Sequence, residues 1–233
     1  MKKLPTFPET GSVPKRRSEA YWIALLLTLS GGLQDAYTYS FRGKVFANAQ
    51  TGNVVLLSAN LLRGAWGEAL HDLVPLGAFV LGTMAAVWIG SPASRLRLFS
   101  GEHLILLLEA GILFYVGFIP AGANDAANAL VSFSCAMQVQ TFRRMRGNPY
   151  ASTMCIGNLR SGTESFCLYI RTKERKHLQA ALQYGGVILC FAVGAGIGSA
   201  ASQIIGAAAI WLSSLCLLAV FLFCLLDYRR TDL

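Results

Sequence analysis

An all-α integral membrane fold is what this sequence predicts: six transmembrane helices as two inverted three-helix repeats, plus two re-entrant or half-helix segments. Three observations point there. Apolar residues come in long blocks, a Gly-Asn break occurs twice at matching places, and Lys and Arg crowd into alternate loops. The 233 residues are 54% hydrophobic and 14% charged, with mean hydropathy +0.49. A soluble domain carries about 25% charged residues.

Crossing a bilayer takes roughly 20 largely apolar residues. Blocks of that kind cover 21–41, 70–90, 103–119, 123–142, 178–200 and 204–226. They divide the chain into a disordered basic cytoplasmic tail (1–20), a first membrane repeat (21–120), a second (121–228) and a cytoplasmic C-terminus (229–233). The tail combines Lys2, Lys3, Lys15, Arg16 and Arg17 with prolines, a composition without a core to bury. A secretory leader does not fit, because the first block is too long and no small-x-small cleavage site follows it.

The net charge of +8 raises nucleic acid as a partner, but its placement argues for orientation in a membrane. With the amino terminus inside and six crossings, the inner stretches hold the tail, Arg95, Arg97, Arg143, Arg144, Arg146, Arg171, Lys173, Arg175, Lys176, Arg229 and Arg230. The outer stretches hold only Arg42, Lys44 and Arg63. This agrees with the excess of basic residues in cytoplasmic loops. The alternative, eight helices in two parallel four-helix repeats, strands Arg95, Arg97 and the Arg143, Arg144, Arg146 group outside. Three spans per half is an odd number, so the halves insert in opposite orientations, as inverted-repeat transporters do.

The repeat is visible in register. Gln34 and Gly43 recur as Gln138 and Gly147, 104 residues on. Phe79, Gly82, Ala86 and Gly90 recur as Phe191, Gly194, Gly198 and Ser202, 112 residues on. Between these landmarks, Gln50-Thr51-Gly52-Asn53 is echoed by Cys155-Ile156-Gly157-Asn158. Each segment, 44–64 and 148–170, begins and ends on one side of the membrane. Each reads as an extended descent, a Gly-Asn turn and a short helix returning. Glycine permits the turn, asparagine caps the helix or meets a ligand, and the helix start offers free N–H groups to an anion or a carbonyl oxygen. The plain alternative is an interfacial helix with an ordinary cap. Recurrence in both halves favours the ligand reading.

Polar residues inside spans are costly and usually face a cavity or a partner. Asp35 is the acid well inside the first block, and Thr28, Gly32, Asp35 and Tyr39 share a helix face with it. Asn128, Ser132, Cys135 and Gln138 repeat that rhythm in the second half, although Val139 stands at the match of Asp35. Arg160 and Glu164, four apart, pair with one another or turn Arg160 toward an anion. Glu109 is alone in the third span and ranks behind Asp35. The pathway set is therefore Gln34, Asp35, Gln50, Thr51, Gly52, Asn53, Asn128, Gln138, Gly157, Asn158, Arg160 and Glu164. The stripes Gly82, Ala86, Gly90 and Gly194, Gly198, Ser202 are small faces for close helix packing. They join the two halves or two copies of the chain in a homodimer.

The six cysteines form no Cys-x-x-Cys pair and read as small, reduced, buried hydrophobes. The three histidines are scattered at span edges, which gives no metal site and no cofactor. No nucleophile motif or phosphate loop occurs, so an enzyme is not expected.

At these residues the chain resembles the YoaK family of bacterial integral membrane proteins. The resemblance covers 21–226. It rests on Asp35-Ala36 ending the first span, Thr51-Gly52-Asn53 after Phe46-Ala47, the glutamine-bearing fourth span running into Arg143-Arg144, and the echo Gly147, Ala151, Gly157. The chain departs at Gln138-Val139-Gln140, where Gln-Asn is common, and at Ile156-Gly157, where Thr-Gly is common. The resemblance implies a multi-pass protein of the bacterial cytoplasmic membrane and names no substrate. The function expected is a small secondary transporter or channel-like permease for a small polar or anionic solute, with Asp35 serving either proton or cation coupling or a structural tie to a basic neighbour near the interface. A non-transporting membrane scaffold or partner-binding protein is the alternative.

Overall fold

The structure is a computed structural model that describes residues 19–90 and 101–231. Most of the expected basic tail, and the stretch holding Arg95 and Arg97, lie outside the described residues. Eight α-helices follow in order: α1 (Tyr21–Phe41), α2 (Gln50–Leu62), α3 (Trp66–Ile89), α4 (Gly101–Val116), α5 (Asn124–Thr141), α6 (Cys155–Thr172), α7 (Arg175–Ile205) and α8 (Trp211–Thr231). The fold is α-helical apart from a two-residue antiparallel pairing of Arg144–Met145 with Asn148–Pro149. The six expected blocks correspond to α1, α3, α4, α5, α7 and α8, and the two Gly-Asn segments to α2 and α6.

By length and apolarity, α3 and the stretch Arg175–Leu226, which holds α7 and most of α8, qualify to cross a membrane among the described residues. A 3-10 turn, Gly206–Ile210, breaks that second stretch, with Gly206 at φ +56°. Large apolar side chains face outward along the bundle: Leu62 is 91% exposed, Ile156 83% and Ile204 81%. Water would penalise such a surface, and lipid does not. The fold is that of a helical membrane protein.

The interior is built from pairs that mix the two halves of the chain. Helices α1 and α7 run parallel: Cys190 Sγ donates to the Leu25 carbonyl, Gly194 lies on Leu29, and Gly198 lies on Leu33. Helices α3 and α5 also run parallel, with His71 beside Asp125, Pro75 beside Ser132 and Gly82 against Phe133. By contrast α1 runs antiparallel to α5, since Leu27 meets Gln138 and Arg42 meets Asn128. Helix α4 runs antiparallel to α8, with His103 on Phe221 and Phe114 on Trp211. The main core gathers Leu27, Leu106, Leu113, Val131 and Leu217 from α1, α4, α5 and α8.

Glycine makes the parallel pairs possible. A Cβ at Gly32 would strike the Phe191 carbonyl, one at Gly82 the Phe133 carbonyl, and one at Gly194 the Leu29 carbonyl. The obstacles are backbone atoms, which cannot turn aside as a side chain would. Small residues let helix backbones approach closely, and in lipid that packing replaces the missing hydrophobic drive. Five of the six stripe residues (Gly82, Ala86, Gly194, Gly198 and Ser202) are buried, and Gly90 is exposed. The first four of these lie on neighbours inside the chain.

Gly194→Ala is expected to destabilise the protein by about 1–3 kcal/mol through overpacking. Gly196→Ala, two residues on with nothing within 4 Å of its added carbon, should be nearly neutral. Chemical unfolding of both variants in detergent checks the contrast.

Candidate functional site

Helices α2 and α6 each begin beside the midpoint of another helix. Gly31 is the eleventh of the 21 residues of α1, and the Ser152-Thr153 stretch just before α6 packs on it. Ser132 is the ninth of the 18 residues of α5. Its hydroxyl accepts from Gln50 Nε2, on the first residue of α2, at 2.7 Å. Two chain segments thus reach the centre of the bundle without helical hydrogen bonds of their own.

The first descent, 42–49, folds back along α1. Gly43 turns it at φ +89°, a conformation that suits glycine. The Ala47 N–H donates to Thr38 Oγ1 at 3.3 Å, and the Asn48 N–H to Asp35 Oδ1 at 3.2 Å. Gln50 Nε2 also reaches the Ala47 carbonyl at 2.7 Å, and Asn53 Nδ2 donates to Gln50 Oε1 at 3.0 Å. Ser132 completes the chain by donating to the Pro75 carbonyl at 2.9 Å. Asp35 is 7% exposed and binds the descending backbone.

The second descent turns at Gly147, φ +85°. Asn158 holds it by both arms: Nδ2 donates to the Ala151 carbonyl at 2.7 Å and Oδ1 accepts the Ala151 N–H at 3.3 Å. Gln138 Nε2 donates to Ser152 Oγ at 2.5 Å and to the Leu27 carbonyl at 3.3 Å. Cys135 Sγ approaches Thr153 Oγ1 at 3.5 Å.

These contacts correct the expected role of the asparagines. The N-cap residues are Ala49 and Met154, neither with a side-chain cap bond. Asn53 and Asn158 are the fourth residues of their helices and reach backwards, Asn158 to the loop backbone and Asn53 to the Gln50 side chain. Thr51, Gly52, Gly157, Arg160 and Glu164 are exposed on the outer sides of α2 and α6. Six of the other seven pathway residues gather near the centre, Gln34, Asp35, Gln50, Asn53, Gln138 and Asn158, while Asn128 lies one turn into α5 and donates to the Arg42 carbonyl.

Arg42 is a second correction. Expected in an outer loop, it is fully buried. Its Nε donates to Tyr37 Oη at 2.7 Å, and its guanidinium nitrogens reach the carbonyls of Val116, Ile119 and Pro120 at 2.8–3.1 Å and Asn124 Oδ1 at 3.5 Å. Carbonyls at a helix C-terminus attract a cation, and the planar fork serves several acceptors at once. The Arg42 carbonyl accepts from Asn128 Nδ2 at 2.9 Å. One side chain therefore ties the C-terminal ends of α1 and α4 to the N-terminal end of α5.

Around these bonds lie buried polar atoms with no partner among the described residues: Thr28 Oγ1, Gln34 Oε1, both amide atoms of Asn48, Asn128 Oδ1, Ser134 Oγ, Gln138 Oε1 and both carboxyl oxygens of Glu109. Buried polar groups are nearly always paired. Sequence reading missed Arg42, Asn48 and the Ser30–Ser213 hydroxyl pair at 2.5 Å. Ser30 had one available signal, since its match 104 residues on is Ser134. Outside the spans, the hydrogen bond from Lys176 holds the Glu174 carboxyl below its ordinary pKa.

A bundle with an apolar exterior and a polar centre reached by two broken segments defines a polytopic helical membrane protein. The chain belongs to the family described as protein of unknown function DUF1275, whose profile matches residues 23–223. It is similar to the UPF0700 transmembrane protein YoaK of Bacillus subtilis (strain 168), with 26% identity over 179 residues, 73% of this chain and 78% of that one. No solved structure matches.

Arg42→Ala should destabilise the protein by at least about 3 kcal/mol, because several buried acceptors lose their donor together. Arg42→Lys should recover only part of that, since an ammonium cannot reproduce the fork. Thermal unfolding in detergent measures both.

Proposed function

We propose that this protein is a small secondary transporter or channel-like permease for a small polar or anionic solute, set in the bacterial cytoplasmic membrane with both termini inside. The observation that carries the reading is that α2 and α6 each start beside the midpoint of a long helix, next to a core of unpaired polar atoms. Irregular backbone at membrane depth is tolerated where it is buried in protein or lines a water-filled cavity. Transporters place their sites at such breaks near the midplane. Most of the unpaired atoms are carbonyl and carboxyl oxygens. They favour a solute that brings N–H or O–H donors, so a neutral polar solute fits better than an anion. No catalytic step enters this reading.

Within it, α1, α3, α4, α5, α7 and α8 cross the membrane as two inverted three-helix repeats, and α2 and α6 are re-entrant. Three features support that arrangement over eight parallel spans. The matched helices α1 and α5 are antiparallel. Helix α2 has 13 residues, roughly 20 Å of rise against a hydrocarbon core of about 30 Å. Exposed Arg143, Arg144, Arg146, Arg171, Lys173, Arg175 and Lys176 gather at one end, as cytoplasmic loops require. The scaffold alternative loses the glycine stripes as a docking face, because they are largely occupied inside the chain.

Single cysteines at Gly43 and Arg63 should label from outside with a membrane-impermeant thiol reagent, and at Gly147 and Arg171 from inside. Labelling of the two ends of either segment from opposite faces would falsify the re-entrant arrangement. Osmotic swelling of vesicles containing the protein, challenged with urea, glycerol and formate in turn, tests the permease itself. Faster swelling than protein-free vesicles is expected for at least one solute, with a loss of tenfold or more in Asn158→Ala. Equal swelling for all three would count against the reading.

A further inference from the structure

We propose that Glu109 is a proton-binding site at the centre of the membrane and, on the permease reading, the group through which a proton drives the solute. Sequence reading offered Asp35 for that role, and the geometry points to Glu109. Asp35 has a donor in the Asn48 N–H, which fixes it to the descending chain. Glu109 is the ninth of the 16 residues of α4, is 0% exposed, and has no hydrogen-bond partner on either oxygen among the described residues.

Its surroundings supply no counter-charge. Gln34 of α1 faces the carboxyl without completing a hydrogen bond to it. The Gln34 amide group is taken up by Ser30 Oγ at 3.1 Å and Ser213 Oγ at 3.2 Å. Helix α1 holds no Lys, Arg or His, and its acid is Asp35. Helix α5 presents Cys135, a common electrostatic neighbour of Asp35 and Glu109, with Asp125 far off at its outer end. Helix α8 contributes Cys216 and Cys224 over its described side chains. The ionisable groups of α3, Glu68, His71 and Asp72, stand in its first two turns, where His71 is 2.8 Å from Asp125 and Asp72 accepts from Asn60 at 2.8 Å. On α4 itself, Glu102 and His103 lie at the start. Arg42, beyond the other end, is committed to carbonyls.

A carboxylate in such a place is expensive unless paired. One proton on Glu109 removes the charge and with it the cost of burying an unpaired carboxylate. A metal ion would require several further oxygen ligands, and no group of three or more His, Cys, Asp or Glu side chains gathers among the described residues. The proton binds one carboxyl oxygen and leaves by the same O–H bond, so the step needs no other reactant. Release requires water or the solute to reach the carboxyl. That ties the charge state of Glu109 to the opening of the core.

Infrared difference spectra of the full-length protein in lipid vesicles, taken across a pH ramp, test the site without any solute. A protonated-carboxyl C=O band is expected near neutral pH in wild type and in Asp35→Asn, and its loss in Glu109→Gln. Replacing sodium by choline should leave it unchanged. Absence of the band, its persistence in Glu109→Gln, or its removal by sodium would overturn the proposal. If Glu109→Gln does not insert, Glu109→Asp serves: a shifted band supports the assignment and an unshifted one refutes it. For the coupling, flux of the solute identified by swelling should fall at least tenfold in Glu109→Gln under a pH gradient while equal-pH exchange continues. Undiminished gradient-driven flux would remove Glu109 from that role. Absence of wild-type flux would count against the permease reading and leave the band to decide the proton site.

Discussion

Non-helical backbone at the centre of a lipid-embedded bundle has to find its hydrogen-bond partners in protein. Two segments of this chain are in that position, and much of the polar interior exists around them. The halves solve the problem differently. In the first, Thr38 and Asp35 of α1 receive the descending N–H groups, and Gln50 takes a carbonyl. In the second, Asn158 satisfies both backbone groups of Ala151, and Gln138 secures Ser152. This asymmetry accounts for Val139 at the match of Asp35. The second descent obtains its donor and acceptor from its own helix and does not need a carboxylate there.

The helices that carry these groups give up apolarity to do so. Helices α1 and α5, with Gln34, Asp35, Asn128 and Gln138, do not stand out as spans by composition, whereas α3 and the α7–α8 stretch do. Burial against parallel neighbours compensates, and that burial depends on glycine. Gly32 of α1 lies on Phe191 and Ala195 of α7, Gly194 of α7 lies on Leu29 of α1, and Gly82 gives α5 its approach to α3. Most of the stripes that looked available for a second copy of the chain are spent on holding one copy together.

Much of the fold was legible because its causes are local or periodic. Block length gave α1, α3, α4 and α5 to within about four residues, but the last block starts seven residues before α8. The turns expected at Gly52-Asn53 and Gly157-Asn158 fall instead at Gly43 and Gly147, the pair matched by the offset of 104. Matching small residues marked the packing faces. What escaped depends on distant contacts. Arg42 reads as an outer-loop cation until α4 ends beside it. Asn53 and Asn158 read as caps until the loops they tie are seen. Glu109 looked the lesser acid because sequence ranks acids by their immediate neighbours. On the proton-site proposal, its role comes from what α1, α5 and α8 fail to offer it.

The pairing of α1 with α7 and of α3 with α5 has a consequence for how the chain is made. The ribosome delivers α1 and α3 long before their partners, so the glycine faces of the first half enter the bilayer uncovered. Gln34 then waits for Ser213 of α8, whereas Asp35 finds its Asn48 donor 13 residues on. Neither half closes a core alone. Assembly is therefore a late, long-range event of the kind that slows folding. Truncation before α7 leaves Gly32 of α1 without the backbone it packs on.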